Sequence, residues 1–195
     1  MPIQPHPLPR EPTAFEPHLP AEVVVRHRSA QQAGIDALNA LLGEASAGDP
    51  PALDDLAREA RGALAAHAAQ AWAEDFYWSA LRPPDAGHQD EPRGPLAESI
   101  AQSFGDLKRM RECFAEAASR LSGPGWLWLV QRGDRRLAIL ATPRSGTPLT
   151  GADTPLLACC LWPHALPDER PDARSRHLAA FWALLDWKAV GARMR

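Results

Sequence analysis

Apolar residues in the first half of the chain recur at the three- and four-residue spacing of amphipathic helices. One such run begins after Pro20, which suits the first position of a helix, and ends at Gly43. A second, longer helix is predicted from residues 49–51 (Asp-Pro-Pro) to the residue before Pro83. Residues 1–19 contain six prolines and predict an extended arm. Two helices with a short polar connection predict an antiparallel hairpin.

The second half of the chain has a different pattern. Apolar residues from Leu96 to Phe114 keep helical spacing, with a break predicted near Gly105. Three apolar segments then predict strands, namely residues 126–130, 137–140 and 155–162. The first two form a hairpin, and the third is almost wholly apolar, which predicts burial on both faces. A helical pattern returns from about residue 174 to residue 190.

These elements together predict an α+β fold. An N-terminal antiparallel helical hairpin is followed by a C-terminal domain of helices and a three-stranded antiparallel sheet. The Pro-, Gly- and Asp-rich residues 83–94 form the best boundary, which predicts an N-terminal unit over residues 1–88 and a C-terminal unit over residues 89–195.

Composition excludes several classes of function. The 195 residues are 45% hydrophobic and carry a formal net charge of −3, which argues against a general nucleic-acid binder. No stretch is apolar and long enough for a membrane span, and the N-terminus lacks the pattern of a secretory signal, so a cytoplasmic location is expected. The three cysteines, Cys113, Cys159 and Cys160, do not form a disulfide framework and are expected to be thiols.

Several short segments of the chain follow one another in a characteristic order. They are Ala68-Ala-Gln-Ala-Trp72, Phe76-Tyr-Trp78, residues 125–130, 147–150 and 154–157, Leu161-Trp162, His164-Ala165 and residues 181–187. In these segments and their order, from about residue 5 to residue 192, the chain resembles the iron/manganese superoxide dismutase family. The resemblance implies the fold predicted above and the dismutation of superoxide at one iron or manganese ion. It also implies an ion held by three histidines and one aspartate, with a glutamine that hydrogen-bonds the metal-bound solvent.

The resemblance places the four metal ligands at His27, Glu74, Cys160 and His164. The two histidines match the family pattern, but a histidine is expected at position 74 and an aspartate at position 160. Gln70 matches the solvent-holding glutamine of the iron-type arrangement. It precedes Glu74 by four residues, so both side chains lie on one face of the second helix.

Residues around this site also depart from the family pattern. Gln31 and Ile35 replace the histidine and tyrosine that line the substrate funnel, and Leu166 and Pro167 replace two aromatics after the last ligand. Pro163 replaces a glutamate that in the family reaches the partner subunit, so a homodimer would have an altered interface. Superoxide is the expected substrate if the site is active.

Three interpretations of the altered site are open. In the first, the site has decayed, and the protein is a non-catalytic scaffold or interaction protein without a metal. In the second, the two histidines, the carboxylate and the thiolate bind a different metal, for which tetrahedral zinc is well suited. In the third, superoxide dismutation continues at an unusual iron or manganese site, although a thiolate facing superoxide is open to oxidation.

Overall fold

Helices surround a small three-stranded sheet in this protein. The computed structural model describes residues 2–8, 10–43, 52–84 and 91–195, with every side chain among them except that of Thr150. The helices in these residues are α1 (Ala21–Gly43), α2 (Leu53–Glu59), α3 (Gly62–Trp78), α4 (Pro95–Phe104), α5 (Leu107–Arg120), α6 (Ala173–Leu184) and α7 (Trp187–Gly191). The strands are β1 (Gly125–Gln131), β2 (Leu137–Pro143) and β3 (Thr154–Cys160). Short 3-10 turns span Pro12–Phe15, Pro148–Thr150 and Pro163–Ala165. The predicted α+β fold class is confirmed.

The N-terminal helices form the predicted antiparallel hairpin. His27 near the start of α1 contacts Glu74 near the end of α3. Farther along α1, Ile35 and Leu38 pack with Ala68 of α3 in a small core of their own. The start of α1 therefore lies beside the end of α3, and the middle parts of the two helices contact each other. The apolar residues of α1 form a stripe along the helix, and this stripe is buried against α3.

The prediction of one long second helix is wrong. The chain forms two helices, α2 and α3, separated by Ala60 and Arg61 in extended conformations (ψ 157° and 159°). Gly62 then has φ +63°, a left-handed conformation that glycine adopts without steric cost. The helical spacing of Leu56, Ala60 and Leu64 continues across this break, so the pattern does not reveal it. The predicted start of this helix at residues 49–51 lies outside the described residues.

The C-terminal half follows its prediction closely. Helices α4 and α5 are separated at Gly105, where φ is +94°. Asp106 then caps α5 by accepting a hydrogen bond from the Arg109 backbone N–H. The predicted helix from residue 174 to residue 190 is interrupted before α7, because Asp186 accepts bonds from the backbone N–H groups of Lys188 and Ala189 and starts a new helix.

The sheet has the strand order β2-β1-β3, with both pairs antiparallel. The central strand β1 is buried at every position, as expected of a strand covered on both faces. A bulge between Leu129 and Val130 lies where Pro155 enters the ladder, which fits the lack of an N–H on proline. Strand β3 ends at Cys160, two residues before its predicted end, and the chain turns at once into the 3-10 turn of Pro163–Ala165.

The main core joins the helical hairpin to the sheet. Phe15 and Leu19 of the N-terminal arm lie in this core, so the arm is anchored at its end and contains a 3-10 turn. Helix α3 packs on β3, and α1 packs on the 3-10 turn that follows β3. None of the helices in the described ranges combines the length and the apolar character needed to cross a membrane. The division into units over residues 1–88 and 89–195 remains a prediction, and residues 85–90 of the proposed boundary lie outside the described part.

Candidate metal centre

The structure brings the four predicted ligand residues into one cluster. Ligand atoms of His27, Glu74, Cys160 and His164 all lie within 4.8 Å of one another. They come from α1, α3, the end of β3 and the following 3-10 turn. Strand β3 delivers Cys160 at its last residue, and the turn brings His164 back beside it. The site therefore lies where the helical hairpin meets the sheet.

Glu74 is the centre of the hydrogen-bond network in this cluster. One carboxylate oxygen, Oε2, lies 2.5 Å from His27 Nε2, and the other, Oε1, lies 3.2 Å from His164 Nε2. Gln70 Nε2 donates a third bond to Oε1 at 2.8 Å. Because a carboxylate only accepts, each imidazole presents a protonated nitrogen to it in this arrangement.

Burial and these hydrogen bonds have opposing effects on the pKa values of Glu74 and His27. Burial by itself would raise the pKa of Glu74, but the neighbouring imidazoles and their hydrogen bonds lower it, so the carboxylate is ionised. Burial lowers the pKa of His27, against the opposing effect of Glu74. An ionised Glu74 carboxylate beside a neutral His27 imidazole is the protonation state that metal binding requires of these two residue types.

Cys160 completes the cluster as a buried thiol. Its Sγ lies 3.9 Å from His164 Nε2. Burial, with a smaller contribution from Glu74, raises the pKa of this thiol well above its usual value. A nucleophilic cysteine needs the opposite, a lowered pKa and an accessible sulfur. The Cys160, His164 and Glu74 side chains therefore do not form an activated nucleophile, and a metal ion is the partner that would make this sulfur a thiolate.

Some of the separations between the donors match those around one small metal ion. Nitrogen, oxygen and sulfur ligands around a tetrahedral ion stand about 3.3–3.8 Å apart. Two of the separations seen here, 3.2 Å and 3.9 Å, are close to that range, while the hydrogen-bonded pair His27–Glu74 is shorter at 2.5 Å. A modest shift of the Glu74 carboxylate would open the centre. The donor set nevertheless differs from the three histidines and one aspartate that the family resemblance implies for iron or manganese.

Gln70 has two hydrogen-bond partners at the site. Its Oε1 accepts a bond from Trp126 Nε1 at 3.2 Å, and its Nε2 donates to Glu74. The indole thus fixes which way the amide points. In this arrangement the Gln70 amide N–H donates directly to the Glu74 carboxylate.

The side chains that replace the funnel residues have other contacts. Gln31 Nε2 donates to Asp75 Oδ1 at 2.6 Å, and its Oε1 accepts from Arg28 at 2.6 Å. Ile35 lies in the small core between α1 and α3. A cavity of about 350 Å³, whose walls include Gly34 and Trp162, ends at Glu74 and His164. Of the four cluster residues, Glu74 and His164 line this cavity, while His27 and Cys160 do not.

Two residues near the site have contacts that the sequence does not reveal. Arg26 donates to the backbone carbonyls of His164 and Leu166, and so holds the 3-10 turn against α1. His177 is buried near Tyr77, with ring centroids 6.5 Å apart, and close to the Cys160 backbone. Neither of its ring nitrogens forms a hydrogen bond of normal geometry within the described residues. No spacing relates His177 to the other histidines, so only the fold reveals its position.

Comparison with known proteins agrees with this architecture. Residues 92–193 match the family described as iron/manganese superoxide dismutases, C-terminal domain. A protein named superoxide dismutase [Fe] from Salmonella typhimurium is 38% identical over 188 residues, which cover 96% of this chain and 95% of that protein. Escherichia coli K12 has a protein of the same name with the same identity and coverage. One from Coxiella burnetii is 31% identical, over 94% of this chain and 93% of that protein. A match of this length and order, on the fold described above, shows that the chain belongs to the iron/manganese superoxide dismutase family.

Proposed function

We propose that this chain binds one divalent metal ion of the zinc type through His27, Glu74, Cys160 and His164, and that superoxide dismutation is lost or strongly reduced. The observation that carries the proposal is the convergence of a carboxylate and a thiol with two imidazoles, all within 4.8 Å. Two imidazoles, a carboxylate and a thiolate match the ligand types of closed zinc sites.

Charge is the first argument against the family reaction. The ligand set implied by the resemblance contains one anionic donor, whereas Glu74 and a Cys160 thiolate supply two. An additional anionic donor stabilises the higher oxidation state of iron or manganese, and this moves the redox couple away from the range that superoxide needs. Zinc has no second oxidation state to use, so a zinc site with four protein ligands would be structural.

The chemistry of sulfur is the second argument. A metal-bound thiolate is a soft donor that suits zinc better than a hard trivalent ion. Exposed to superoxide and its peroxide product, it would be converted to sulfenic acid. An ion that does not react with superoxide avoids this damage.

A bound ion would supply a cross-link rather than a reaction. The four ligands lie on α1, on α3, at the end of β3 and in the turn after it. One ion there would tie the helical hairpin to the sheet, and the free energy of binding would add to that of folding. The cavity that ends at Glu74 and His164 would serve as its entry path.

One observation favours a second candidate, slow superoxide dismutation with bound iron. Trp126, Gln70 and Glu74 form a continuous hydrogen-bonded chain to the centre, and Gln70 matches the solvent-holding glutamine of the family. The relatives named superoxide dismutase [Fe] are consistent with iron in this position. In this case superoxide is the substrate, and the expected rate is far below that of a site with the family ligand set.

A location in the cytoplasm and a homodimer with an altered interface belong to the same proposal. Pro163 stands where the family resemblance implies a glutamate that reaches the partner subunit. Its ring cannot accept a hydrogen bond from a partner, so the dimer contact at this point would lack that link.

Elemental analysis of protein purified without added metal, combined with an assay of superoxide turnover, tests the proposal. We expect one zinc per chain and no turnover above the background. Stoichiometric iron or manganese with rapid turnover would overturn the proposal, and iron with slow turnover would favour the second candidate. If the protein contains no metal, either as purified or after zinc is added, the interpretation as a non-catalytic scaffold without a metal would remain.

A pair of cysteine variants makes this test specific to the site. Cys159 and Cys160 are both fully buried neighbours on β3, but only Cys160 belongs to the cluster. We expect Cys160→Ala to weaken zinc binding by at least about a hundredfold, and Cys159→Ala to leave it within about threefold. A competition titration with a coloured chelator measures both. Equal effects of the two changes would refute coordination by Cys160.

A further inference from the structure

A second cavity of the molecule carries an unusual arrangement of charge. It has a volume of about 710 Å³ and lies between the start of α4, the turn after β1 and the C-terminal segment. None of the four residues of the candidate metal centre lines it. The size falls within the range of pockets that bind small organic molecules.

Cations dominate the wall of this cavity. Arg93, Arg135, Lys188 and Arg195 line it, and Glu98 is the only acidic side chain among its lining residues. Within the described residues none of these four cationic side chains forms an ion pair or a hydrogen bond. In a chain with a net charge of −3, a group of unpaired cations from three separate segments concentrates positive potential at one place.

A buried amide lies at the same cavity. Gln131, at the end of β1, is only 4% exposed and lines the wall. Its Oε1 accepts a bond from the Arg195 backbone N–H at 2.8 Å. Its Nε2 forms no hydrogen bond within the described part of the chain, and it is not among the fully buried side-chain donors there, so it is accessible from the cavity. This amide therefore offers one donor to a ligand in the cavity.

Helix α4 adds backbone donors to the same wall. It begins at Pro95, and its N-cap residue Gly94 supplies no side-chain acceptor. The N–H groups of Leu96 and Ala97 therefore have no partner inside the helix. Leu96 lines the cavity, so the positive end of the helix dipole faces the same space as the cations.

We infer that this cavity binds a small polyphosphorylated anion, such as a di- or triphosphate or its ester. Several cations spread over three segments exceed what a single monovalent anion can contact, but they match a chain of phosphate groups. Buried Trp187 and the apolar side chains of Leu96 and Met194 form the rest of the wall, which suits an organic group attached to the phosphates. This inference is independent of the proposed metal function.

Isothermal titration of the full chain with inorganic triphosphate tests the inference. We expect saturable binding of one triphosphate per chain, which weakens as salt is added. Arg135→Asn and Lys188→Ala should each weaken binding by about tenfold, the loss of one charge-assisted bond. Asparagine is chosen at position 135 because Arg135 has φ +67°, a conformation that asparagine tolerates.

Two further variants separate a built site from general attraction. Arg132 lies in the same hairpin turn but does not line the cavity, so Arg132→Ala should change affinity by less than about twofold. Gln131→Glu keeps the acceptor for Arg195 and replaces the free donor with a negative charge, so it should abolish binding. Thermal unfolding of each variant confirms that it is folded.

The inference is overturned by several results. One is the absence of saturable binding, and another is an Arg132→Ala effect as large as that of Arg135→Asn. Because triphosphate also sequesters metal ions, the titration is repeated on protein dialysed against a chelator. The same affinity is expected, since none of the metal-centre residues lines this cavity. A heat signal that is lost after this dialysis would show that triphosphate had removed a metal ion from the protein instead of binding in the cavity.

Discussion

Glu74 satisfies three side-chain donors at the centre of a buried cluster. Without a metal ion, two imidazoles this close together would each need another partner for a ring nitrogen, and the carboxylate supplies both. A histidine at position 74 would instead add a third imidazole to the cluster. Glu74 therefore satisfies the donors of the cluster in the metal-free state.

Glu74→Gln tests this role in metal-free protein. The amide keeps the size of the side chain but can accept through only one oxygen, and its NH₂ group faces an imidazole donor. We expect the free energy of unfolding to fall by about 1–3 kcal/mol, the cost of leaving a buried polar group unsatisfied. Urea denaturation in the presence of a chelator measures the change, with exposed Glu98→Gln as the control. An unchanged midpoint would show that the network does not stabilise the metal-free fold.

His177 predicts how stability depends on pH. Burial lowers the pKa of this imidazole to about 3, with a smaller contribution from His27, against 6.5 in an unfolded chain. Between these values the unfolded chain binds a proton that the folded chain does not. Stability contributed by neutral His177 is therefore complete above pH 6.5 and is lost as the pH falls toward 3, by at most about 1.4 kcal/mol per pH unit.

His177→Leu should flatten that dependence. Leucine has a similar volume and does not titrate. The slope of the free energy of unfolding against pH, between about pH 6.5 and pH 4, should therefore decrease by the contribution of about one proton. Glu74 and His27 change stability in the same direction, since the pKa of each is lowered in the folded chain, so some slope remains. Denaturant midpoints over this pH range give the slope, and exposed His18→Leu is the control. Identical slopes in wild type and His177→Leu would contradict the assignment.

The identities of the four clustered residues were predictable, but their arrangement was not. Family order places His27, Glu74, Cys160 and His164 at ligand positions, and the fold then brings them together. That the Glu74 carboxylate lies between two imidazoles depends on rotamers and on burial, which no spacing encodes. The position of His177 depends in the same way on how α6 packs against α3.

At the scale of elements, most helices and strands were predictable from the spacing of apolar residues and from the glycines and prolines between them. The strands were predictable because their pattern changes from a spacing near 3.6 to alternating or continuous apolar runs, and α4 ends at a glycine with positive φ. The break between α2 and α3 was not predictable because the apolar stripe runs through it. Only the backbone conformations of Ala60, Arg61 and Gly62 mark it. In the sequence, Gly62 looks no different from Gly34, which lies inside α1.

Alanine at these two glycines should have opposite effects. Gly34 has helical neighbours and no atom within 4 Å of an added Cβ, so Gly34→Ala should stabilise the protein by about 0.5–1 kcal/mol. Gly62 has equal space but φ +63°, so Gly62→Ala should destabilise it by about 1–2 kcal/mol. Thermal unfolding of both variants measures the signs. A stabilising change at Gly62 would mean that α2 and α3 can join into one helix.

At the scale of the whole molecule, the site belongs to neither half alone. The hairpin contributes His27 and Glu74, and the end of the sheet with its turn contributes Cys160 and His164. Two core side chains of β1 join the halves, since Trp126 donates a hydrogen bond to Gln70 and Trp128 stacks on Trp72. The residues at these four positions can therefore differ from the family pattern while the packing that unites the halves is kept.

Restoring the family ligand set tests how far the rest of the molecule has diverged. Glu74→His combined with Cys160→Asp would recreate three histidines and one aspartate at the four positions. We expect the double variant to bind iron or manganese stoichiometrically, because the packing that positions these residues is intact, whereas Glu74→His alone should not. Its superoxide turnover should stay well below that of the relatives named superoxide dismutase [Fe], because Gln31 is hydrogen-bonded to Asp75 and Ile35 has no hydroxyl to offer at the funnel. Elemental analysis and a superoxide assay on the single and double variants, with unfolding curves to confirm folding, give the answer. A folded double variant that binds neither metal would place the divergence in the surrounding packing rather than in the ligands.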